Sequence, residues 1–219
     1  IFIRLASKID SDFLDAFPSL KYVVSPTTGL NHIDLNELHK REIKLISLKG
    51  RSDFLNDIHA TAEHTLALTL ALLRRLPSAV KSVGDGLWDR YPFRGAELFG
   101  RSVFLIGYGR VGRQVCALFE AFGAKVIAFD SDDSVVPVGQ KVTLEDGLKT
   151  AQIISIHISY SEKNIGFLNK NLLSKVRSDA VLINTSRGEI LDQSALMESL
   201  IEKRLSGAAL DVLCNEPMP

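Results

Sequence analysis

Short apolar runs rich in β-branched residues alternate with helical segments along almost the whole chain. From residue 102 the order is strand (SVFLIGYG), helix (VGRQVCALFEAFG) and strand (KVIAFD), and further strands follow at IISIHI, AVLINT and GAALDVL. Strands separated by helices pair in parallel, because each crossover returns the chain to the same end of the sheet. The pattern therefore predicts an α/β fold built on a doubly wound parallel sheet. Thr143 is the predicted N-cap of the helix before IISIHI, and Asp192 and Gly207 are the predicted N-cap and end of the helix DQSALMESLIEKRLSG.

The first fifty residues repeat the alternation on a smaller scale. IFIRLA, KYVVS and IKLISL are predicted strands, and DSDFLDAF and NHIDLNELHKRE are predicted helices. Three strands make a thin sheet, so we expect this region to need more chain for its completion. A polar stretch, LKGRSDFLND, follows as a predicted linker. We therefore predict two domains, an incomplete one over residues 1–52 and a larger one over 53–219.

Composition argues against several classes of protein. Lys and Arg number 26 and Asp and Glu also number 26 in the 219 residues. A net charge of zero gives no support to binding of nucleic acid or of an anionic membrane surface. The longest apolar run, residues 66–73, is far shorter than a bilayer span, and no secretory signal is visible. The two cysteines form no spaced motif, so we expect a reducing, cytoplasmic setting.

Three glycines in GYGRVG stand directly between a predicted strand and a helix. Gly107 suits a tight turn, Gly109 permits a pyrophosphate to approach the backbone, and Gly112 permits close packing of helix on strand. The start of the helix offers unpaired N–H groups to phosphates. Glycines of this spacing also occur in ordinary turns, but the position between strand and helix favours a dinucleotide site.

Asp130 ends the next predicted strand, 18 residues after Gly112. An acid that binds ribose hydroxyls is expected about 20 residues after the glycines. Such a carboxylate repels a 2′-phosphate, and Asp132 and Asp133 add to the repulsion. The alternative is that Asp130 only caps a turn. The spacing favours the ribose site, with NAD rather than NADP as the cofactor.

Polar residues also follow the last two predicted strands. Arg187 stands in INTSRGEILD, and Asp211 and Glu216 stand in GAALDVLCNEP. A guanidinium offers a planar fork of donors that suits a carboxylate, although a surface arginine in a turn is the alternative. Ligands of open parallel sheets bind at the carboxyl ends of the strands, so these residues are candidates for a substrate site.

Together these segments resemble the NAD-dependent D-isomer-specific 2-hydroxyacid dehydrogenases. The similar segments are LFGRSVFLIGYGRVG, AFGAKVIAFD, NTSRGEILDQSAL and SGAALDVLCNEPMP, with TTGLNHID and ATAEHTLAL in matching order and spacing. The resemblance implies a Rossmann domain inserted into a flavodoxin-like substrate domain that both chain ends build. It also implies hydride transfer between NAD(H) and a small 2-keto or D-2-hydroxy acid. A non-catalytic NAD sensor or scaffold is the alternative, because a fold does not guarantee chemistry.

The same resemblance assigns roles to individual residues. Arg187 would clamp the substrate, and Glu216 would pair with a catalytic histidine and keep it protonated. Around the cofactor it places Arg110 and Val111 over the pyrophosphate, His157 beside the cofactor, and Thr185, Ser186 and Asp211 at the nicotinamide end. Around the substrate it places Arg4, Thr28, Gly29 and Leu30. For His157 a structural role is the favoured alternative.

The family's catalytic histidine lies downstream of the NEP turn, whereas this sequence stops at Pro219. With Ile1 in place of an initial Met, we expect a chain truncated at both ends, without that histidine and nearly inactive as it stands. None of the five histidines is a convincing substitute. We predict His32 and His39 on the surface, and His59 and His64, with Glu63, as residues of helix packing.

Two predictions about binding partners complete the sequence analysis. HATAEH has one residue too many for the H-x-x-E-H metal motif, so we predict no metal site. The apolar helix over residues 60–76, with RGAELFG after it, resembles the family's dimerisation region. This similarity predicts a homodimer, although burial of the helix within the monomer would give the same pattern.

Overall fold

The computed structural model describes residues 1–4, 7–132, 134–137 and 139–216. Two compact units divide the chain, Ile1–Ile58 and His59–Pro219. Compactness alone does not define an independently folding domain, so the domains 1–52 and 53–219 stay a prediction.

Seven strands and nine α-helices form the described regular structure. The strands are β1 (Tyr22–Ser25), β2 (Lys44–Ser47), β3 (Ser102–Ile106), β4 (Lys125–Phe129), β5 (Ile153–Ile156), β6 (Val181–Asn184) and β7 (Gly207–Leu210). The helices are α1 (Ser11–Asp15), α2 (Leu35–Lys40), α3 (Ser52–Leu55), α4 (Ala60–Leu73), α5 (Leu76–Gly84), α6 (Arg110–Ala121), α7 (Leu144–Thr150), α8 (Lys170–Leu173) and α9 (Gln193–Ile201). Short 3₁₀ turns lie at Tyr91–Phe93, Glu162–Asn164 and Gly188–Ile190.

The first unit contains a two-stranded parallel sheet, β1–β2. The prediction of a strand at IFIRLA is wrong in the described part, because Phe2 forms only an isolated bridge with Val24. The segment still runs beside β1, since the Ile3 N–H donates to the Val24 carbonyl at 2.9 Å. The predicted linker is not wholly irregular either, because it contains α3.

The second unit is built on a five-stranded parallel sheet in the order β4-β3-β5-β6-β7. Every residue of β5 and β6 is buried, as expected for parallel strands covered on both faces. Successive residues of β3 pack alternately into two hydrophobic clusters, one on each face of the sheet. Val103 and Leu105 join the cluster that includes residues of α4 and α6, and Phe104 and Ile106 join the cluster of α7 and α9. The prediction of a doubly wound parallel sheet is confirmed.

Helix boundaries differ from the sequence pattern at three places. α4 ends at Leu73 rather than continuing to residue 76, because Arg75 is left-handed (φ 53°) and α5 begins at Leu76 with a proline in its first turn. α9 ends at Ile201, so Gly207 opens β7 instead of ending the helix as predicted. The four-residue α8 was not predicted, since one turn is too short to show a helical period.

Two predicted helix caps are confirmed. The Thr143 side chain accepts a hydrogen bond from the Asp146 N–H, and the Asp192 side chain accepts one from the Ala195 N–H. These bonds satisfy N–H groups that the first helical turn leaves without a backbone partner. Separately, within the described residues no helix has the length and apolarity to cross a bilayer.

Gly147 offers a test of the core between α7 and the sheet. A Cβ atom there would lie 2.4 Å from the ring of Phe104, which is fully buried. Gly147→Ala should therefore lower the free energy of unfolding by about 1–3 kcal/mol, because overpacking outweighs the gain of about 1 kcal/mol in helix propensity. Urea denaturation measures the change.

Gly84→Ala is the matched control, since a Cβ atom at this helical glycine would meet nothing within 4 Å. This variant should be as stable as the unsubstituted chain or slightly more stable. Equal effects of the two substitutions would contradict the packing described for Phe104.

Candidate functional site

The glycine turn joins β3 to α6 and has three sterically different glycines. Gly107 has a φ of 101°, and a Cβ atom there would lie 2.7 Å from the His157 carbonyl. A Cβ atom at Gly112 would lie 2.2 Å from the Gly107 carbonyl oxygen, whereas one at Gly109 would meet nothing within 4 Å. Packing therefore requires two of the glycines, and the third borders open space.

Gly109 is also the N-cap of α6 and supplies no side chain to cap it. The first N–H groups of this 12-residue helix therefore receive no hydrogen bond from the N-cap side chain. Arg110 and Val111 form the first turn, and Arg110 Nη1 donates to Gln114 Oε1 at 3.4 Å. The backbone N–H groups of a helix N-terminus and the positive end of its dipole suit the phosphates of a dinucleotide.

Asp130 follows the last residue of β4 and is tied to the glycine turn. Its Oδ2 accepts the Tyr108 N–H at 2.7 Å, and its Oδ1 accepts the Asp132 N–H at 3.0 Å. The carboxylate therefore caps a turn, as in the alternative considered above, and also lies beside the backbone of the glycine turn. Each oxygen keeps acceptor capacity for a ribose hydroxyl. Asp133 lies outside the described residues.

His157 follows β5 and packs its backbone against Gly107. Its Nε2 lies 2.8 Å from the hydroxyl of Ser155, which is fully buried. Burial lowers the pKa of His157 from 6.5 to about 4, because the charged imidazolium is poorly solvated there. The ring is therefore neutral near pH 7.

The loop after β6 carries Thr185, Ser186 and Arg187 and is shaped by Asn184. The buried Asn184 side chain accepts the Ser186 N–H at 3.0 Å and the Ser186 hydroxyl at 2.8 Å, and it donates to the Arg187 carbonyl at 2.9 Å. Arg187 Nη1 in turn donates to the Ser186 carbonyl at 2.7 Å. Sequence reasoning missed Asn184, although an Asn at the end of a strand is a known signal for a side-chain-capped turn.

Glu216 lies in the turn after β7, close to this loop. A Cβ atom at Gly188 would lie 2.0 Å from the backbone of Leu213, so the two loops cross in direct contact. Glu216 Oε1 accepts the Leu213 N–H at 2.7 Å and thereby closes its own turn. Among the described side chains, Arg187 and Glu216 do not form an ion pair with each other.

Helix α4 supplies two contacts that the sequence pattern did not reveal. Thr65 Oγ1 lies 2.8 Å from Thr185 Oγ1, and His64 Nε2 lies 3.2 Å from Asp211 Oδ1. The prediction of His64 as a helix-packing residue is therefore wrong, since its ring pairs with a carboxylate at the end of β7. Glu63 and His59 are exposed and do not pack within this unit.

The predicted substrate-binding residues lie in the first unit. Arg4 and Thr28 are exposed, and Gly29 and Leu30 are partly buried. The Thr27 hydroxyl donates to the Gly29 carbonyl at 2.8 Å, which fixes the local course of this loop. His32 beside it is partly buried, with Nε2 3.5 Å from the Ser25 hydroxyl, so its prediction as a surface residue is wrong.

His39 is exposed as predicted. Within the described part of the chain, no group of three or more His, Cys, Asp or Glu side chains could hold a metal ion.

A glycine turn with uncapped helix donors, an acidic residue after the neighbouring strand and polar loops after β6 and β7 define a nicotinamide-dinucleotide-binding domain. The family model of the D-isomer specific 2-hydroxyacid dehydrogenase NAD-binding domain matches residues 66–219. The chain belongs to this family, which confirms the resemblance inferred from the sequence and NAD as the cofactor.

Individual relatives agree with the family model. The glyoxylate reductase of Thermofilum pendens is 35% identical, with 98% of this chain and 65% of that protein covered. The D-3-phosphoglycerate dehydrogenase of Mycobacterium tuberculosis is 33% identical over 99% of this chain, which spans only 41% of that protein. The structure of D-lactate dehydrogenase from Aquifex aeolicus with NAD and lactic acid is 28% identical, with a TM-score of 0.83 over 99% of this chain and 65% of that one.

The three glycines generate a test of the site. Gly112→Ala should destabilise the fold by about 2–3 kcal/mol, because the new methyl group meets the Gly107 backbone. Gly109→Ala should leave the thermal midpoint unchanged, since its φ of −69° suits alanine and its surroundings are open. It should nevertheless weaken NADH binding about tenfold or more, because the methyl group occupies the space of the phosphates.

Calorimetry and NADH fluorescence titration separate the two effects. Retention of full NADH affinity by a folded Gly109→Ala variant would place the pyrophosphate elsewhere.

His157 generates a test of pH dependence. Its folded pKa lies below the unfolded value, so the unfolded chain binds the extra proton and stability falls as pH falls from about 6.5 towards 4. The loss attributable to this ring should reach at most about 3 kcal/mol. Urea denaturation across this range should show a shallower pH dependence for His157→Gln, and identical curves would contradict a poorly solvated neutral ring.

Proposed function

We propose that the protein transfers a hydride between NAD(H) and a small 2-keto or D-2-hydroxy acid. The chain spans 41% of the phosphoglycerate dehydrogenases that it matches, so this activity is proposed for the whole protein. The observation that carries the proposal is the position of Arg187 after β6, on the sheet that also forms the glycine turn. An NAD sensor would need the turn but not this arginine.

Strand order supports the placement of the reaction at β6 and β7. Asp130, the candidate ribose acid, follows β4, which is one neighbour of β3. The other half of the dinucleotide must then extend to the opposite side, over β5 and β6. Strands lie about 4.8 Å apart, so β6 is roughly 10 Å from the glycine turn and β7 roughly 14 Å. This reach suits the nicotinamide end of an extended dinucleotide.

Residues of the loops after β6 and β7 then have separate roles in the proposed reaction. Arg187 has five N–H donors. The hydrogen bond from its Nη1 to the Ser186 carbonyl orients the guanidinium, so that the remaining donors can bind a substrate carboxylate. Thr185, Ser186 and Asp211 would line the nicotinamide end. When bound, NAD(H) supplies or accepts the hydride.

Glu216 would raise the pKa of an adjacent histidine and keep it protonated, so that it can protonate the new alkoxide. The residues proposed for the first unit, Arg4 and residues 28–30, would hold the substrate carboxylate and any bulkier substituent.

Turnover tests the proposal. NADH absorbance should fall with at least one of hydroxypyruvate, glyoxylate, pyruvate and 3-phosphohydroxypyruvate, and the product should be the D-isomer. We would assay the whole protein, for which the activity is proposed, beside the 219-residue chain. Arg187→Gln should lower kcat/KM about 100-fold or more, as expected for loss of a bidentate carboxylate contact, without changing the affinity for NADH. NADH binding without reduction of any keto acid by either form would favour the sensor alternative.

Two finer parts of the proposal concern the cofactor and the setting. The Asp130 carboxylate supports NAD over NADP, because a 2′-phosphate beside it would bring like charges together. An acyclic imino acid reductase that is 32% identical was solved with NADPH, and the ratio of the Kd values of this protein for NADH and NADPH tests the preference. Two free cysteines, Cys116 and Cys214, support a reducing, cytoplasmic setting.

We also propose a homodimer, supported by an apolar surface on α5 and the segment after it. Its exposed members are Leu76, Val80, Val83, Leu87, Trp88 and Tyr91, with Trp88 93% exposed. Apolar side chains at helical spacing on an exposed face mark an interaction surface. A second copy of the chain is the occupant that we propose.

Charge placed on this surface should separate the dimer. Val80→Asp with Val83→Asp should convert a dimer to a monomer in light scattering after size exclusion, because a buried unpaired carboxylate is costly. Ser78→Asp adds a charge to the same helix away from these valines and should leave the dimer intact. A monomeric unsubstituted chain would refute the dimer.

A further inference from the structure

Tyr108 forms hydrogen bonds with both ends of the loop that follows β4. We call residues 130–140 the β4 loop, and the structure describes all of them except residues 133 and 138. The Tyr108 N–H donates to Asp130 Oδ2 at 2.7 Å, and the Tyr108 hydroxyl donates to Gln140 Oε1 at 3.1 Å. One residue of the glycine turn therefore bonds the first and the last residue of this loop.

The second partner of Gln140 fixes the direction of the bond to Tyr108. Gln140 Nε2 lies 2.6 Å from Glu120 Oε1, and a carboxylate only accepts. The amide nitrogen must therefore face Glu120, and the amide oxygen must face Tyr108. Burial, together with the neighbouring Cys116 thiol, raises the pKa of Tyr108, so its hydroxyl keeps its proton and donates it to Gln140.

Tyr108 is buried, whereas the start of the β4 loop lies nearer the surface. Tyr108 is 7% exposed and packs in the same hydrophobic cluster as Val115 and Cys116 of α6. Asp130 is partly buried, and Asp132 is exposed. A side chain packed in a core moves less than a surface loop. The two hydrogen bonds of Tyr108 therefore set the position of the loop ends.

Asp132 adds a second carboxylate to the same arrangement. Its N–H donates to Asp130 Oδ1 at 3.0 Å, and its Oδ1 accepts the Ser134 N–H at 3.0 Å and the Ser134 hydroxyl at 2.6 Å. These bonds from Ser134 lower the pKa of Asp132, so this group is ionised at neutral pH. Two carboxylates therefore lie at the start of a loop whose ends are bonded to Tyr108.

We infer that Tyr108 and Gln140 are positioning residues that hold the β4 loop and its carboxylates against the glycine turn, and that they thereby exclude a 2′-phosphate. The Asp130 carboxylate can accept a hydrogen bond from a ribose hydroxyl in place. A phosphate brings negative charge to the same point, so the loop must move away to admit it. The bond between Tyr108 and Gln140 resists that movement. This inference rests on the preference for NAD stated under the proposed function.

Titration of the whole protein with NADH and NADPH, followed by nucleotide fluorescence, tests the inference without requiring turnover. The Kd for NADPH should exceed the Kd for NADH about tenfold or more in the unsubstituted protein. Tyr108→Phe keeps the ring and removes only the hydroxyl. It should lower this ratio of Kd values about threefold, mainly through tighter binding of NADPH, because the end of the loop is released.

Two further variants identify the bond that is responsible. Gln140→Leu should lower the ratio as much as Tyr108→Phe, and the double variant should lower it no further, because the two residues share one hydrogen bond. Glu120→Ala is the matched control, since it removes the exposed partner of the same Gln140 side chain and leaves the partner Tyr108 in place. It should keep the full ratio. A general loosening of the glycine turn would weaken the binding of both dinucleotides together and leave the ratio unchanged.

An unchanged ratio in a folded Tyr108→Phe variant would overturn the inference and leave the preference for NAD standing. A loss in Glu120→Ala as large as that in Tyr108→Phe would do the same. Equal affinity of the unsubstituted protein for NADH and NADPH would overturn both the preference and the inference, whereas the proposed hydride transfer is decided separately by turnover. If Gln140→Leu does not fold, Tyr108→Phe decides the outcome.

Discussion

The structure depends on how closely α6 can approach the sheet. The absence of a side chain at Gly112 lets the first turn of this helix lie against the Gly107 backbone, closer than any Cβ atom would permit. That approach places the first N–H groups of the helix at the proposed phosphate site and packs the apolar face of α6 onto β3. Because α4 packs on α6, the same contact also sets the position of the helix that reaches the far strand ends.

The candidate site is therefore assembled from elements that share one core. Asp130 is held by the backbone of the glycine turn, and Thr185 is held by α4, which precedes the five-stranded sheet in the sequence. Hydrogen bonds in this part of the molecule are mostly made by strand-end side chains to the backbone of nearby loops. Such bonds fix loops without adding bulk, and they leave the space above the sheet open for a ligand.

Local pattern was sufficient to predict the strands of the second unit, the glycine turn and two helix caps. Each depends on residues a few positions apart, where period and side-chain chemistry are visible in the sequence. The contact of Thr65 with Thr185 spans 120 residues, and a hydroxyl in an apolar helix carries no sign of its distant partner. The first predicted strand failed because apolar alternation at IFIRLA does not reveal whether the segment makes enough ladder bonds to count as a strand.

The crossing of the loops at Gly188 and Leu213 has a mechanical consequence. The backbones at Gly188 and Leu213 are in contact without an intervening side chain, so neither loop can shift without displacing the other. Arg187 and Glu216 therefore belong to one rigid structural unit, although 28 residues separate them in sequence. Any hinge motion that the protein undergoes should displace the two side chains together, and an insertion in either loop would disturb both.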